Sequence, residues 1–599
     1  MPASQATGAE DVAWDLDTLV GDAGVDELLD TAIAGARALT TEVRGSVASL
    51  DASALAEVLD RLAAVHEDSH RAGNYAQLRF ATDTTDPARG ALVQEVSERL
   101  SELSAELVWF ELEWVAVDDD RAASLLGDDA LARHRHHLET VRATKPHVLT
   151  EAEERLLATT APTGRSAWVR LFTEQTSAIE VTLPDTPEGE TVSLDAALAR
   201  LGNPDREIRR TTAEAVSAAL RPGLRTRAYV FNTLLADRRI QDDLRDYPTW
   251  ISSWNLSNEA SDESVQALVD AVVARYDIPR RWYRLKAGVL GLDRLADFDR
   301  NASVAETDRH IGWDEATTIV RDAYASFSDD LATVVDRFLT EGWIDAPTRP
   351  GKRGGAFCSY TVPSHHPYVF LNYTATPNDV MTLAHELGHG LHGYLARPHG
   401  VFEQMTPLTL AETASVFGET VTFNRLLSQL DDPGERFALL AQNVEGSIAT
   451  VFRQVAMNRF EHAVHTHRRD HGELSTTDFA DHWEVTQSDL FGDAMEVTAG
   501  YRDWWSYIPH FIGTPGYVYA YAYGQLLALS VYAQYEARGA DFVPQYLELL
   551  AAGGSRWPEE LARIVDCDLA DPTFWNAGLD IVDAQVTAAE EAARTAGRI

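Results

Sequence analysis

Helical periodicity constrains this chain more than any other feature. Apolar residues recur three and four apart through residues 25–39, where Leu28, Leu29, Ile33, Ala36 and Leu39 share a face, and similar patterns run through 54–65, 91–114 and 265–289. Two stretches break the rule. Ile179-Glu-Val-Thr-Leu alternates like a strand, the residues from Pro184 to Gly189 supply turn chemistry, and Thr191-Val-Ser-Leu returns, which predicts a hairpin near 179–194. Ser359-Tyr-Thr-Val and Tyr368-Val-Phe-Leu-Asn-Tyr are β-prone and are separated by Pro363 to Pro367. The fold class expected is mainly α, with a small β element just ahead of one informative helix. No repeat of fixed period and no long linker interrupts the 599 residues.

Charge narrows the function. Asp and Glu number 93 against 51 Lys and Arg, a formal charge of −42. Phosphate recognition needs concentrated cations, so nucleic acid is excluded as a partner and docking on anionic membranes is disfavoured. Only Lys145, Lys286 and Lys352 are lysines. The two cysteines, Cys358 and Cys567, supply neither a disulfide framework nor a Cys-x-x-Cys pair, and they read as incidental thiols. The first residues lack the basic and apolar regions of a secretion signal, and no apolar run is long enough to span a bilayer. A soluble, cytoplasmic protein is expected.

The segment Met381-Thr-Leu-Ala-His385-Glu386-Leu-Gly-His389-Gly-Leu-His392 contains H-E-x-x-H. Residues four apart lie on one helical face, so His385 and His389 can converge on one ion with Glu386 beside them. Neutral imidazole suits zinc, and three protein ligands leave a position for water, whose proton the adjacent carboxylate can accept. The context is helical: Val380, Leu383, Ala384, Leu387, Leu391 and Tyr394 form an apolar stripe, Pro377-Asn-Asp supplies a start, and Pro398 lies just past the end.

A third histidine ligand is excluded, because the extended pattern H-E-x-x-H-x-x-G-x-x-H would need Gly at position 392 and His at 395, where His392 and Leu395 stand. Glu403, Glu412 and Glu419 are the acidic candidates. Ala411 to Glu419 reads as a helix with Glu412, Ser415 and Glu419 on one face. Two carboxylates among Ala, Val and Phe need partners, which Glu412 as a metal ligand and Glu419 as hydrogen-bond acceptor for a ligating histidine would supply. Further on, His510 precedes Pro515-Gly-Tyr517-Val-Tyr519-Ala-Tyr521-Ala-Tyr523-Gly524-Gln525. Read as a helix started by Pro515, Tyr517 and Tyr521 share one face and Tyr519 and Tyr523 another. A phenol can donate to a developing oxyanion, and either register offers one.

These residues resemble the zinc metallopeptidase family of thimet oligopeptidase and, more closely, bacterial oligoendopeptidase F. Trp14-Asp15-Leu16, Ala76 to Asp86, Gly351 to Cys358, the H-E-L-G-H-G-L-H run and Glu412-x-x-Ser415-x-x-x-Glu419 all match family segments, so the resemblance covers nearly the whole chain. It implies a two-lobed, bowl-like helical molecule around a deep substrate channel. Residues 1–200 would then form an N-terminal helical region and 201–599 the catalytic region, with interleaved lobes. It also implies one zinc ion per chain held by His385, His389 and Glu412, with Glu419 supporting a ligand and Glu386 as general base and proton donor. His510 matches the family's catalytic-region histidine ahead of its tyrosine-rich helix, and Tyr517 and Tyr521 match the two tyrosines that hydrogen-bond substrate or intermediate, although Gly524 stands where the thimet branch carries a further tyrosine.

The function expected is therefore a zinc-dependent endopeptidase cutting internal bonds of short oligopeptides. The alternatives are a zinc carboxypeptidase or dipeptidase of the same chemistry and, more remotely, a non-catalytic helical peptide-binding protein. The Arg133-His-Arg-His-His137 run and the group His462, His465 and His467 read as solvated helix faces, and His392 as packing or support of the site.

Overall fold

In the computed structural model of the chain, which describes residues 6–599 apart from 185, 187, 188 and 306–308, helix dominates as the periodicity predicts. The helices used below are α1 Gly24–Val43, α2 Ala52–Thr82, α3 Pro87–Leu107, α4 Asp262–Ala274, α5 Trp313–Phe327, α6 Pro377–Ala396, α7 Ser415–Ser428, α8 Pro433–Ser447, α9 Arg453–Asp470, α10 Tyr519–Arg538 and α11 Pro572–Thr595. The strands are β1 Glu180–Thr182, β2 Thr191–Ser193, β3 Leu295–Ala296, β4 Ile344–Pro347, β5 Phe357–Ser359, β6 Tyr368–Tyr373 and β7 Met495–Glu496. Strands β1 and β2 pair antiparallel with Val181 opposite Val192, so the hairpin forms, while Asp185, Pro187 and Glu188 of its expected turn lie outside the described residues. Strands β3 and β7 pair in parallel. In the remaining sheet β6 is central, parallel to β4 and antiparallel to the edge strand β5.

The chain divides into two compact units, each assembled from three stretches. The first comprises Met1–Lys145, Arg309–Gln429 and Leu527–Asp568. Its helices α1, α2 and α3 pack on one another through the apolar faces that the sequence displays, with Leu39, Leu55, Leu59 and Trp114 fully buried. The Trp114 indole also donates to the Leu138 carbonyl at 2.8 Å, which satisfies its one polar atom. Trp14 lies against Tyr368 and Phe370, so the chain's beginning covers β6. Strand β6 is almost wholly buried, as its continuous apolar run requires, and it leads directly into α6.

The second unit comprises Pro146–Asp308, Leu430–Leu526 and Leu569–Ile599. Helices α8 and α4 pack against α11, which buries Leu579, Val582 and Val586 at helical spacing. A separate aromatic core joins Phe231, Phe479, Trp505 and Phe511. Helix α8 passes through a π-helical stretch, Ile448–Phe452, into α9.

Two of the histidine groups differ from expectation. His134 and His136 are buried, as is His465, whose ring stacks on Trp250 at 4.5 Å. Polar neighbours in sequence suggested solvent, but in both cases aromatic residues distant in sequence cover the imidazole. Among the described residues no helix is long and apolar enough to cross a membrane.

Candidate metal centre

Local chemistry starts α6 where the sequence predicts. The Thr376 hydroxyl accepts from the Asp379 amide at 3.3 Å, the Asp379 carboxylate accepts from the Thr376 amide at 2.9 Å, and Pro377 takes a first-turn position that needs no donor. Val380, Leu383, Ala384, Leu387 and Leu391 face the core. Burial of each Leu is worth roughly 1.5–3 kcal/mol, ample to fix the rotation of the helix. That rotation sets His385 and His389 side by side, ring centroids 4.9 Å apart.

Glu412 meets both histidines. Its Oε2 lies 3.4 Å from His385 Nε2 and 3.6 Å from His389 Nε2. Two ligands about 2.1 Å from a tetrahedral ion lie about 3.4 Å apart, so this spacing fits one ion held by two imidazole nitrogens and a carboxylate oxygen. No other group of three such donors converges among the described residues. Glu403, by contrast, accepts from the His137 amide at 3.2 Å and belongs to different surroundings.

The backbone that carries Glu412 is not the continuous helix expected. A short helix, Leu408–Ala411, ends before it, and Glu412 occupies a turn ahead of α7. The Ser415 hydroxyl stabilises that turn, donating to Glu412 Oε2 at 2.5 Å and to the Glu412 carbonyl at 3.2 Å. Glu419, one helical turn further, accepts from His385 Nδ1 at 3.3 Å. This contact fixes the ring so that Nε2 is directed at Glu412.

Burial opposes a charged imidazole at His385, yet the hydrogen bond to Glu419 and the nearby Glu412 and Glu386 carboxylates outweigh it and push its pKa up to about 9. The field at this point favours positive charge, which a divalent cation satisfies as well as a proton does. Burial pushes His389 down to about 4, toward the neutral form that ligates metals. Glu386 is 7 % exposed, and its Oε2 is buried with no hydrogen-bond partner among the described residues. Burial pushes this carboxyl up to about 7, against the His385 charge. An acid balanced near neutrality is suited to taking and returning a proton.

Three contributors to this architecture had only a weak sequence signal. Gly388 admits the Ala414–Ser415 backbone, Gly418 admits the Tyr324 hydroxyl, and that hydroxyl donates to the Ala384 carbonyl at 2.9 Å, joining α5 to α6. The signal was the glycines themselves, since Gly inside a helix costs about 1 kcal/mol against Ala and calls for a packing reason. Cys358 lies on β5, and burial together with the Glu386 charge pushes its thiol well above the usual range, so it is no thiolate. His392 is buried at 2 % exposure.

In the second unit His510, Tyr517 and Tyr521 come together. Tyr521 Oη is 3.3 Å from His510 Nε2, Tyr517 meets Tyr521 edge-on at 5.0 Å, and the His510 and Tyr517 rings are parallel at 6.0 Å. The helix starts four residues later than Pro515 suggested: α10 begins at Tyr519, and Tyr517 sits in the loop before it. The competing tyrosines are core residues, both 0 % exposed. Asn258 donates to Tyr519 Oη at 3.3 Å, and Tyr523 donates to the Ser264 hydroxyl at 3.2 Å.

Two imidazoles, a carboxylate and an adjacent buried acid on a helical scaffold define a metallohydrolase. Residues 200–581 match Peptidase family M3 and residues 113–180 match Oligopeptidase F, and the chain belongs to Peptidase family M3. It is a metal-dependent endopeptidase acting on oligopeptides. It is 25% identical to Oligopeptidase PepF of Bacillus subtilis (strain 168), over 92% of this chain and 82% of that protein. It is likewise 25% identical to Group B oligopeptidase PepB of Streptococcus agalactiae, over 97% of each. The fold matches a crystal structure of a Chlamydophila abortus protein with a TM-score of 0.87 at 22% identity, covering 98% of this chain and all of that one.

Proposed function

We propose that this endopeptidase uses zinc, with His385, His389 and Glu412 as ligands and Glu386 as the general base, to hydrolyse internal bonds of short peptides. The observation that carries the reading is the convergence of three donors within 4.8 Å beside a buried glutamate, Glu386, whose Oε2 has no hydrogen-bond partner among the described residues. Bound zinc supplies a Lewis acid that lowers the pKa of water from 15.7 to about 7. The residues do the rest. Glu386 accepts the proton of the attacking water and passes it to the leaving amine, Glu419 holds the His385 ring, and Ser415 holds the Glu412 carboxylate. His510, Tyr517 and Tyr521 act together as hydrogen-bond donors to the substrate or to the oxyanion that develops on it; their clustering, with Tyr519 and Tyr523 packed in the core, supports this register.

Residues 201–599 carry the catalytic region in this reading and 1–200 an N-terminal helical region, which the match of 200–581 to the peptidase family supports. A reducing, cytoplasmic location suits two free cysteines and is testable by fractionation. Product mapping on a peptide blocked at both termini tests the endopeptidase reading. Internal cuts are expected, whereas cleavage confined to unblocked peptides indicates a carboxypeptidase or dipeptidase.

A further inference from the structure

Strand β5 leaves one way for a further strand to approach. Both of its side-chain faces are taken. Phe357 stacks on Phe370 at 4.7 Å and the Ser359 hydroxyl donates to Asn74 Oδ1 of α2 at 2.9 Å, while Cys358, which alternates with them, meets the Glu386 charge on the α6 side. Strand β6 occupies the inner edge, so only the outer edge is free. Main-chain groups on such an edge can pair with an extended peptide as an added strand. A peptide paired there runs past Glu386.

The chain ahead of β5 carries three cations, one of them without a counter-charge. The Asp345 carboxylate takes both Arg349 and Lys352, and Lys352 Nζ lies 2.6 Å from its Oδ1 while donating to the Pro347 and Leu371 carbonyls at 2.8 and 2.6 Å. Arg353 makes no ion pair and no side-chain hydrogen bond among the described residues. It is exposed, with its guanidinium 5.4 Å from the centre of the Phe357 ring. Its main chain, by contrast, is fixed: the Arg353 amide donates to the Ala81 carbonyl at 2.9 Å, and Asn372 of β6 donates to the Arg353 and Gly355 carbonyls at 2.9 and 2.8 Å. Gly354 and Gly355 have no atom within 4 Å of where a Cβ would stand, so space for a ligand opens beside Arg353.

Charge sets the direction of a bound peptide. Arg353 precedes β5, so a peptide paired antiparallel runs toward it carboxyl end first, whereas a parallel one would bring up its cationic amino end. We propose that Arg353 holds the C-terminal carboxylate of the peptide substrate, aligning the peptide antiparallel to β5. A guanidinium suits this role, because its planar N–H fork matches the two oxygens of a carboxylate. It also offsets the repulsion that Glu386, Glu412 and Glu419 exert on that carboxylate. Arg353 stands five positions before Cys358, at most about 18 Å of extended chain, which limits the C-terminal product to on the order of five residues. This role rests on the metal centre proposed above.

The test compares two short peptides, identical except for a free or an amidated C-terminus and carrying fluorophore and quencher on side chains, with the zinc-loaded, full-length enzyme. The free acid should show a kcat/KM about 3–10-fold higher, mostly through KM, a gain between that of an exposed ion pair and a bidentate one. Arg353→Gln should bring the ratio to about one with zinc content unchanged, and Arg353→Lys, which keeps the charge without the fork, should retain part of it. Equal kcat/KM for acid and amide in the unaltered enzyme overturns the proposal, as does an acid preference that survives in Arg353→Gln. Failure to cut either peptide would overturn the endopeptidase reading, and this role with it.

Discussion

Gly388 lies so close to Ala414 that a methyl group on it would collide with the Ala414 carbonyl oxygen and meet Ser415 Cα at 2.6 Å. The proposed metal centre depends on this approach, because the same stretch of backbone carries Glu412 to the histidines. Gly388→Ala should force α6 and α7 apart, lowering stability by about 1–3 kcal/mol and weakening metal retention at least tenfold. Gly446, also helical, has nothing within 4 Å of its missing Cβ. Gly446→Ala should instead raise stability by about 1 kcal/mol and leave metal content unchanged. Denaturant titration and metal analysis of the pair check both signs.

The Glu419 contact predicts a different defect. Glu419→Ala leaves all three proposed ligands in place and removes only the acceptor that orients His385. Metal affinity should fall about 10–100-fold, with activity restored by added zinc. Competition with a chelator measures this, and unchanged affinity would remove Glu419 from the site.

Glu461 is 0 % exposed, and its Oε1 accepts from the Gly516 amide at 2.8 Å, next to Tyr517. Gly516 has φ +85° and packs against Trp250, Ile251 and Trp254. Glu461 is thus a positioning residue for the tyrosine loop. Glu461→Ala should lower kcat with zinc content unchanged, while Glu461→Gln, which keeps a carbonyl acceptor, should recover most of it. Equal losses in both variants contradict this role.

Acid lability follows from the imidazoles around Phe402. His137 stacks on its ring at 4.3 Å and His66 meets it edge-on at 5.5 Å. Burial pushes both down to about 4. An unfolded histidine titrates near 6.5, so between pH 6.5 and 4 the unfolded chain binds more protons than the native one. Their contribution to stability is complete above pH 6.5 and is lost as the pH falls toward 4. Melting temperatures should decline across that window, and less steeply in His137→Gln; equal slopes in the two proteins oppose the assignment.

The legible parts of this protein were those set by local chemistry. The ends of α6 follow from Thr376, Pro377 and Asp379, its buried face from 3.6-residue spacing, and the pairing of His385 with His389 from their separation of one turn. Harder to read were features decided by distant partners. The break in helix at Glu412 depends on Ser415 and on the approach to Gly388, and the place of Tyr517 ahead of α10 depends on the Glu461 bond to Gly516. His134, His136 and His465 have polar neighbours in sequence but are buried in the fold, which periodicity alone does not disclose.

In the proposed function Glu386 moves the proton while the metal is held without it. The most direct test pairs metal analysis with turnover of a terminally blocked, internally quenched peptide by Glu386→Gln. One zinc per chain is expected, as in the unaltered enzyme, with turnover reduced about 10²–10⁴-fold. Turnover within a few-fold of the unaltered enzyme at full zinc occupancy would contradict that role.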